Sequence, residues 1–193
     1  MNTAPAARPA RVGIVAIGTA LALLATPTQS HADVPNPLLA LVDAAAQRLQ
    51  TADPVAASKW ITGGSIEDHT REQQVIDAVT ASATEKGADP GFVERSFRNQ
   101  IAATVAVEYG LFSQWKLDPP SAPLTAPDLS DSRSAIDALN RTMVTEIAGQ
   151  WDSLHSPSCL GDLDAAKDAV VDARGLDELY QRGLAFATRS YCQ

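Results

Sequence analysis

The residues best suited to chemistry interrupt an apolar pattern. Phe97, Ile101, Thr104, Glu108, Leu111 and Trp115 recur at steps of 4, 3, 4, 3 and 4, the spacing that lines one face of a helix. Two of the six are polar. A carboxylate carried into a core is costly unless it meets a cation or its pKa rises until it is neutral. Glu108 therefore belongs either to a polar site or to a helix edge where it reaches water. Arg48, directly before Leu49 on another apolar stripe, poses the same choice between a site and a cation snorkelling at a helix edge.

Several chemistries lose weight at once. His31, His69 and His155 are isolated from one another, and the two cysteines, Cys159 and Cys192, lie far apart, so no zinc-type constellation is available. No Gly-x-Ser-x-Gly elbow and no phosphate-cradling glycine loop occurs. With 15 Lys+Arg against 23 Asp+Glu, a net charge of -8 argues against a broad electrostatic grip on nucleic acid or an anionic membrane. An anionic ligand must find a local pocket of cations.

The elements that would position these residues are helices. Hydrophobic residues at 45% and charged residues at 20% describe a globular chain, and 193 residues suffice for one domain with a sizeable core, mostly aliphatic because aromatics are only 5%. Arg8 and Arg11 precede an uncharged run, Val12 to Ala25, and small residues lead up to Ala32, the pattern of a secretory leader comprising residues 1–32. The mature domain would be 33–193, soluble and exported. In an oxidising compartment Cys159 and Cys192 are expected to form a disulfide, closing a loop that stabilises the fold by about 4 kcal/mol in the chain-entropy model.

No segment alternates as a strand does, so the class is all-α, with about six helical pieces. The first starts near Pro37 and contains Asp53-Pro54, read either as a cap opening a second helix or as a kink in one long helix. Ser65 and Asp68 resemble a capping arrangement for a helix ending at Lys86-Gly87. Asp89-Pro90 opens the helix of the polar-interrupted stripe. Pro119, Pro120, Pro123 and Pro127 make a stiff connection. Ser130 is then the expected N-cap of a helix with Ile136, Leu139, Met143, Ile147 and Trp151 on one face, and pieces near Leu160–Ala173 and Leu176–Tyr191 complete the chain.

At Arg48, Lys59, Asp68, Arg71, Glu72, Thr104 and Glu108 the chain resembles the all-helical chorismate mutases. The order matches, and so do the intervals: 11 from Arg48 to Lys59, 9 to Asp68, 3 to Arg71, 33 to Thr104 and 4 to Glu108. The stretches around Leu41–Leu49, Ala52–Ala57 and Ser132–Asp137, with the leader and the terminal cysteine pair, are similar to the secreted branch of that family.

The resemblance implies an intramolecular Claisen rearrangement of chorismate to prephenate, with no cofactor, no metal and no nucleophile. By that likeness Arg48, Arg71 and Arg133 would bind the carboxylates of the substrate, a task suited to planar guanidinium forks. Lys59 would sit near a carboxylate and the ether oxygen, Thr104 would donate to a carboxylate, and Glu108 would face the ether oxygen. Asp68 and Glu72 would address the ring hydroxyl. Where secreted members carry Gln one turn after Arg71, this chain has Val75, with Gln73 and Gln74 just before it, so Glu72 and a neighbouring Gln both stand as candidates. The resemblance further implies a homodimer. Two other functions fit the same cations: an exported helical module that binds an anionic metabolite or partner protein without turnover, and an isochorismate pyruvate lyase on the same fold.

Overall fold

Helical periodicity without strand alternation becomes, among the described residues, an assembly of helices alone. The computed structural model describes residues 1–4 and 35–192. Most of the expected leader and its junction with the mature chain lie outside that range, and every contact below falls within the unit Val34–Gln193. Its helices are α1 (Leu39–Gln50), α2 (Ala52–Thr62), α3 (His69–Lys86), α4 (Pro90–Leu117), α5 (Leu129–Gly149), α6 (Trp151–Leu154), α7 (Cys159–Arg174) and α8 (Glu178–Ala187), with a 3-10 turn at Pro119–Ser121.

The first apolar piece is two helices, and the break falls at Thr51 rather than at Asp53. Thr51 doubles back on α1: its N–H and its hydroxyl both donate to the Arg48 carbonyl, at 3.2 and 2.6 Å. Pro54 sits in the first turn of α2, where the backbone N–H groups have no partner within the helix and none is lost. Asp53 accepts a hydrogen bond from the Tyr180 hydroxyl at 2.8 Å, which ties α2 to α8.

The other caps differ in detail. Asp89 opens α4 as expected, accepting from the Gly91 N–H at 2.7 Å. The helix after the Ser65–Asp68 segment starts only at His69, with Asp68 as its cap. Asp128 caps α5, accepting from the N–H of the expected cap, Ser130, at 2.7 Å. That helix stops at Gly149, so Trp151 opens the single turn α6, and α8 ends at Ala187, short of Tyr191.

The long helix α4 is the spine, packed against α2, α3 and α8, while α1 lies against α5, α7 and α8. Leu41, Leu49, Phe97, Met143, Ile147 and Leu184 are buried between them. Gly183 lets α8 come close to the bundle: a Cβ there would lie 2.8 Å from Leu49 Cδ2 and 3.1 Å from Val107 Cγ2. Cys159 and Cys192 form the expected disulfide, with their Cα atoms 5.6 Å apart. No described helix is long and apolar enough to cross a membrane.

Candidate active site

A cavity of about 120 Å³ opens between the first five helices. Arg48 reaches it from α1, Lys59 from the last turn of α2, Asp68, Arg71 and Glu72 from the N-terminal end of α3, Thr104 and Glu108 from the middle of α4, and Arg133 from the first turns of α5. All eight side chains expected from the resemblance line this one space, and Val55, Ile66, Val75, Ile101, Val105, Leu129 and Ile136 supply its apolar walls.

Glu108 is buried, 3% exposed, so the helix-edge reading does not hold. Its Oε2 receives a hydrogen bond from Lys59 Nζ at 2.7 Å. Burial pushes its carboxyl above the usual carboxylate range, and the nearby charge of Glu72 adds to this, against the downward pull of the Lys59 hydrogen bond and charge. The ammonium is steadied from the other side. After α2 ends at Gly63, in the left-handed region at φ 70, the chain turns back so that the Ile66 carbonyl accepts from Lys59 Nζ at 2.5 Å.

Arg48 is also buried, 4% exposed. Its Nε donates to Asn140 Oδ1 at 2.7 Å and its Nη1 to Thr104 Oγ1 at 3.4 Å, with the guanidinium 5.9 Å from the centroid of the Phe97 ring. Thr104 in turn donates to the Gln100 carbonyl at 2.9 Å. Burial lowers the Arg48 pKa to about 10, which leaves it cationic at neutral pH. No carboxylate forms a salt bridge with it among the described residues.

The remaining cations differ in their restraint. Arg71 Nη2 pairs with Asp137 Oδ1 at 2.6 Å. Arg133 is exposed, with no hydrogen bond or salt bridge from its side chain among the described residues. Asp68 spends Oδ1 on the Arg71 N–H at 3.0 Å as the cap of α3, and Glu72 lies 3.4 Å from His69 Nδ1 at the rim. Val75 is in the cavity wall, whereas neither Gln73, which donates to Asp77, nor Gln74 lines it. Of the two candidates for the ring hydroxyl, then, Glu72 faces the cavity.

Sequence reasoning missed Asp137 and Asn140. The signal for Asn140 was available in kind: on α5 it falls in step with the buried Met143, Val144 and Ile147, a polar residue in an apolar face, as Thr104 and Glu108 are on α4. Its partner, however, is 92 residues away.

Four cations and three carboxylates thus line a space with no Ser, Cys or His in its wall. Such a set can clamp two carboxylates with three guanidinium groups and focus one ammonium and one carboxyl on a single atom between them.

Comparison with known proteins agrees with this reading of the fold. The family model for chorismate mutase type II matches residues 39–109, the span from α1 into α4 that carries every expected site residue except Arg133. The secreted chorismate mutase of Mycolicibacterium smegmatis is 62% identical over 174 residues, 90% of this chain and 96% of that one. The secreted chorismate mutase of Mycobacterium tuberculosis is 50% identical over 181 residues, 93% and 91% of the two chains. Among solved structures, a chorismate mutase from Burkholderia phymatum superposes with a TM-score of 0.78 at 29% identity, covering 82% of this chain and 97% of its own. A secreted chorismate mutase from Yersinia pestis shares the fold, with a TM-score of 0.65 at 21% identity over 79% and 95% of the two chains. The chain belongs to the type II chorismate mutases and, within them, to the family of the secreted enzymes.

Proposed function

We propose that the cavity isomerises chorismate to prephenate by a cofactor-free intramolecular Claisen rearrangement, in a protein exported by a leader comprising residues 1–32 and active as the mature domain 33–193. The single observation that carries the reading is the convergence of Arg48, Lys59, Arg71 and Arg133 from four helices on one cavity that also holds the buried Glu108.

Chorismate is a dianion, and its reactive conformer folds the enolpyruvyl group over the ring. The guanidinium groups of Arg48, Arg71 and Arg133 hold the two carboxylates in that fold, and the Thr104 hydroxyl adds a donor once it turns from the Gln100 carbonyl. Asp68, through its free oxygen, and Glu72 accept from the ring hydroxyl. The ether carbon-oxygen bond then breaks as the new carbon-carbon bond forms, and negative charge grows on the ether oxygen. Lys59, with Glu108 in its protonated form, donates to that oxygen. These donors bind the transition state better than the ground state because the charge they face is largest there. Fixing the folded conformer beforehand removes much of the entropic barrier.

All four cations belong to one chain, so each subunit of the homodimer we propose carries a complete site. The acidic surface, net -8 over the sequence, supports a protein that binds neither nucleic acid nor membrane. Purified mature protein incubated with chorismate is expected to consume it and yield prephenate. Pyruvate as the product would instead assign a lyase, and unchanged chorismate a binding module.

A further inference from the structure

Three groups on one face of α5 address the guanidinium groups of the cavity. Arg133, Asp137 and Asn140 follow one another at steps of 4 and 3, so they share a side of the helix. Arg133 supplies a cation itself. Asp137 holds Arg71, and Asn140 holds Arg48, at 2.6 and 2.7 Å.

The two holds are chemically different. Arg71 is partly exposed and is anchored by a carboxylate. Arg48 and Asn140 are 4% and 6% exposed, and their contact is of the buried class. A carboxylate placed there would fix the same geometry but satisfy the charge of the guanidinium, leaving less of it for an anionic ligand. An amide oxygen accepts from Nε without adding charge. Arg48 carries a second neutral contact, to Thr104 at 3.4 Å, so its restraint within the protein comes from uncharged acceptors.

We propose that Asn140 is a positioning residue: its amide oxygen locks the Nε edge of Arg48, turns the Nη edge toward the cavity, and leaves the cation without a carboxylate partner of its own, open to a carboxylate of the substrate. This rests on the reading of the cavity as a chorismate mutase site, but the hold itself can be tested apart from turnover.

Two variants separate geometry from charge. Asn140→Ala removes the hold, and Asn140→Asp keeps it while adding a charge. In the nitrogen-proton spectrum of the wild type, the Arg48 Nε–H is expected to exchange slowly with solvent. It should exchange fast in Asn140→Ala and remain slow in Asn140→Asp. Kinetically, Asn140→Ala should lose about 10- to 100-fold in kcat/KM, the scale of one hydrogen bond to a charged group. Asn140→Asp should lose at least as much, chiefly through a raised KM for chorismate, although its guanidinium is still held.

Circular dichroism and a melting curve check that both variants fold. If Asn140 only packs α5 on α1, both variants will melt earlier yet show wild-type kcat and KM in the folded protein, which overturns the proposal. A fast-exchanging Arg48 Nε–H in the wild type overturns it as well. If the wild type fails to convert chorismate, the proposed reaction falls, and the exchange pattern of the three proteins still decides whether Asn140 fixes Arg48.

Discussion

Glu108 and Lys59 meet at 2.7 Å inside the cavity, and their protonation sets how the reaction should respond to pH. An ionised carboxylate only accepts hydrogen bonds and repels charge growing on the ether oxygen, whereas the protonated form donates. Burial raises the Glu108 pKa against the pull of Lys59, so the protonated form persists to higher pH than it would on an ordinary Glu. Turnover at saturating chorismate should therefore fall as pH rises through the Glu108 midpoint. Glu108→Gln offers a permanent donor of the same shape and is expected to remain active with a flatter profile. Superimposable profiles, or a folded but inactive Gln variant, would exclude a protonated donor. Lys59→Ala removes the ammonium itself and should cost about 100- to 1000-fold in kcat, the usual loss for one preorganised donor. Glu178, exposed on α8, is the control and should tolerate Ala.

At the scale of elements, the close approaches of α8 lead to a contrast between two glycines. A Cβ on Gly183 would meet Leu49, which is fully buried, and also Val107. A Cβ on Gly110 would lie 2.8 Å from Leu179 Cδ2, but Leu179 is only partly buried and can turn aside. Gly183→Ala should thus lose about 1 to 3 kcal/mol through overpacking, offset only in part by a gain in helix propensity of about 1 kcal/mol. Gly110→Ala should come out near neutral, since the gain in helix propensity, about 1 kcal/mol, offsets a small displacement. Denaturant midpoints of the two variants measure the difference. A second strap joins α1 to α7, where Arg174 Nε donates to Asp43 Oδ1 at 2.5 Å and holds that carboxyl below its ordinary value of 3.8. A depressed carboxyl stabilises the fold above its unfolded pKa and loses that contribution as pH falls through the folded one. Asp43→Asn should therefore be less stable at neutral pH by under about 1 kcal/mol, because the pair is partly exposed, and the gap should close in strong acid.

The stripe on α4 was legible because its period belongs to the sequence, and its two polar interruptions pointed to the site without any partner being known. The sequence alone does not place the start of α5, because Asp128 and Ser130 are both good caps and residues around them decide which is used. Thr51 carries no local mark of a helix break, because its turn depends on a carbonyl that only a finished α1 presents. Asn140 shows in the sequence only as a polar residue in an apolar face, and Asp137 not even as that, because their partners are guanidinium groups 92 and 66 residues away and no local pattern marks such a contact.

Over the whole molecule, the site and the stapled tail are built from different parts of the chain. Every cation and carboxylate lining the cavity comes from α1 to α5, and none from α7 or α8. The disulfide joins the start of α7 to the residue after Tyr191, whose side chain is fully buried. Cross-linking residues 33 apart removes freedom chiefly from the unfolded chain, by about 4 kcal/mol in the entropic model. In the folded protein the tail keeps its other anchors, including the Tyr180–Asp53 hydrogen bond and the packing of α8 on α4. Replacing both cysteines by serine should accordingly lower the melting temperature by about 8 to 16 °C while kcat and KM, measured well below the transition, stay within about twofold of wild type. The same enzyme treated with reductant should follow the double variant on both counts. A large loss of turnover in a double variant that still shows full helical signal would mean that the tail shapes the cavity as well as stabilising the bundle.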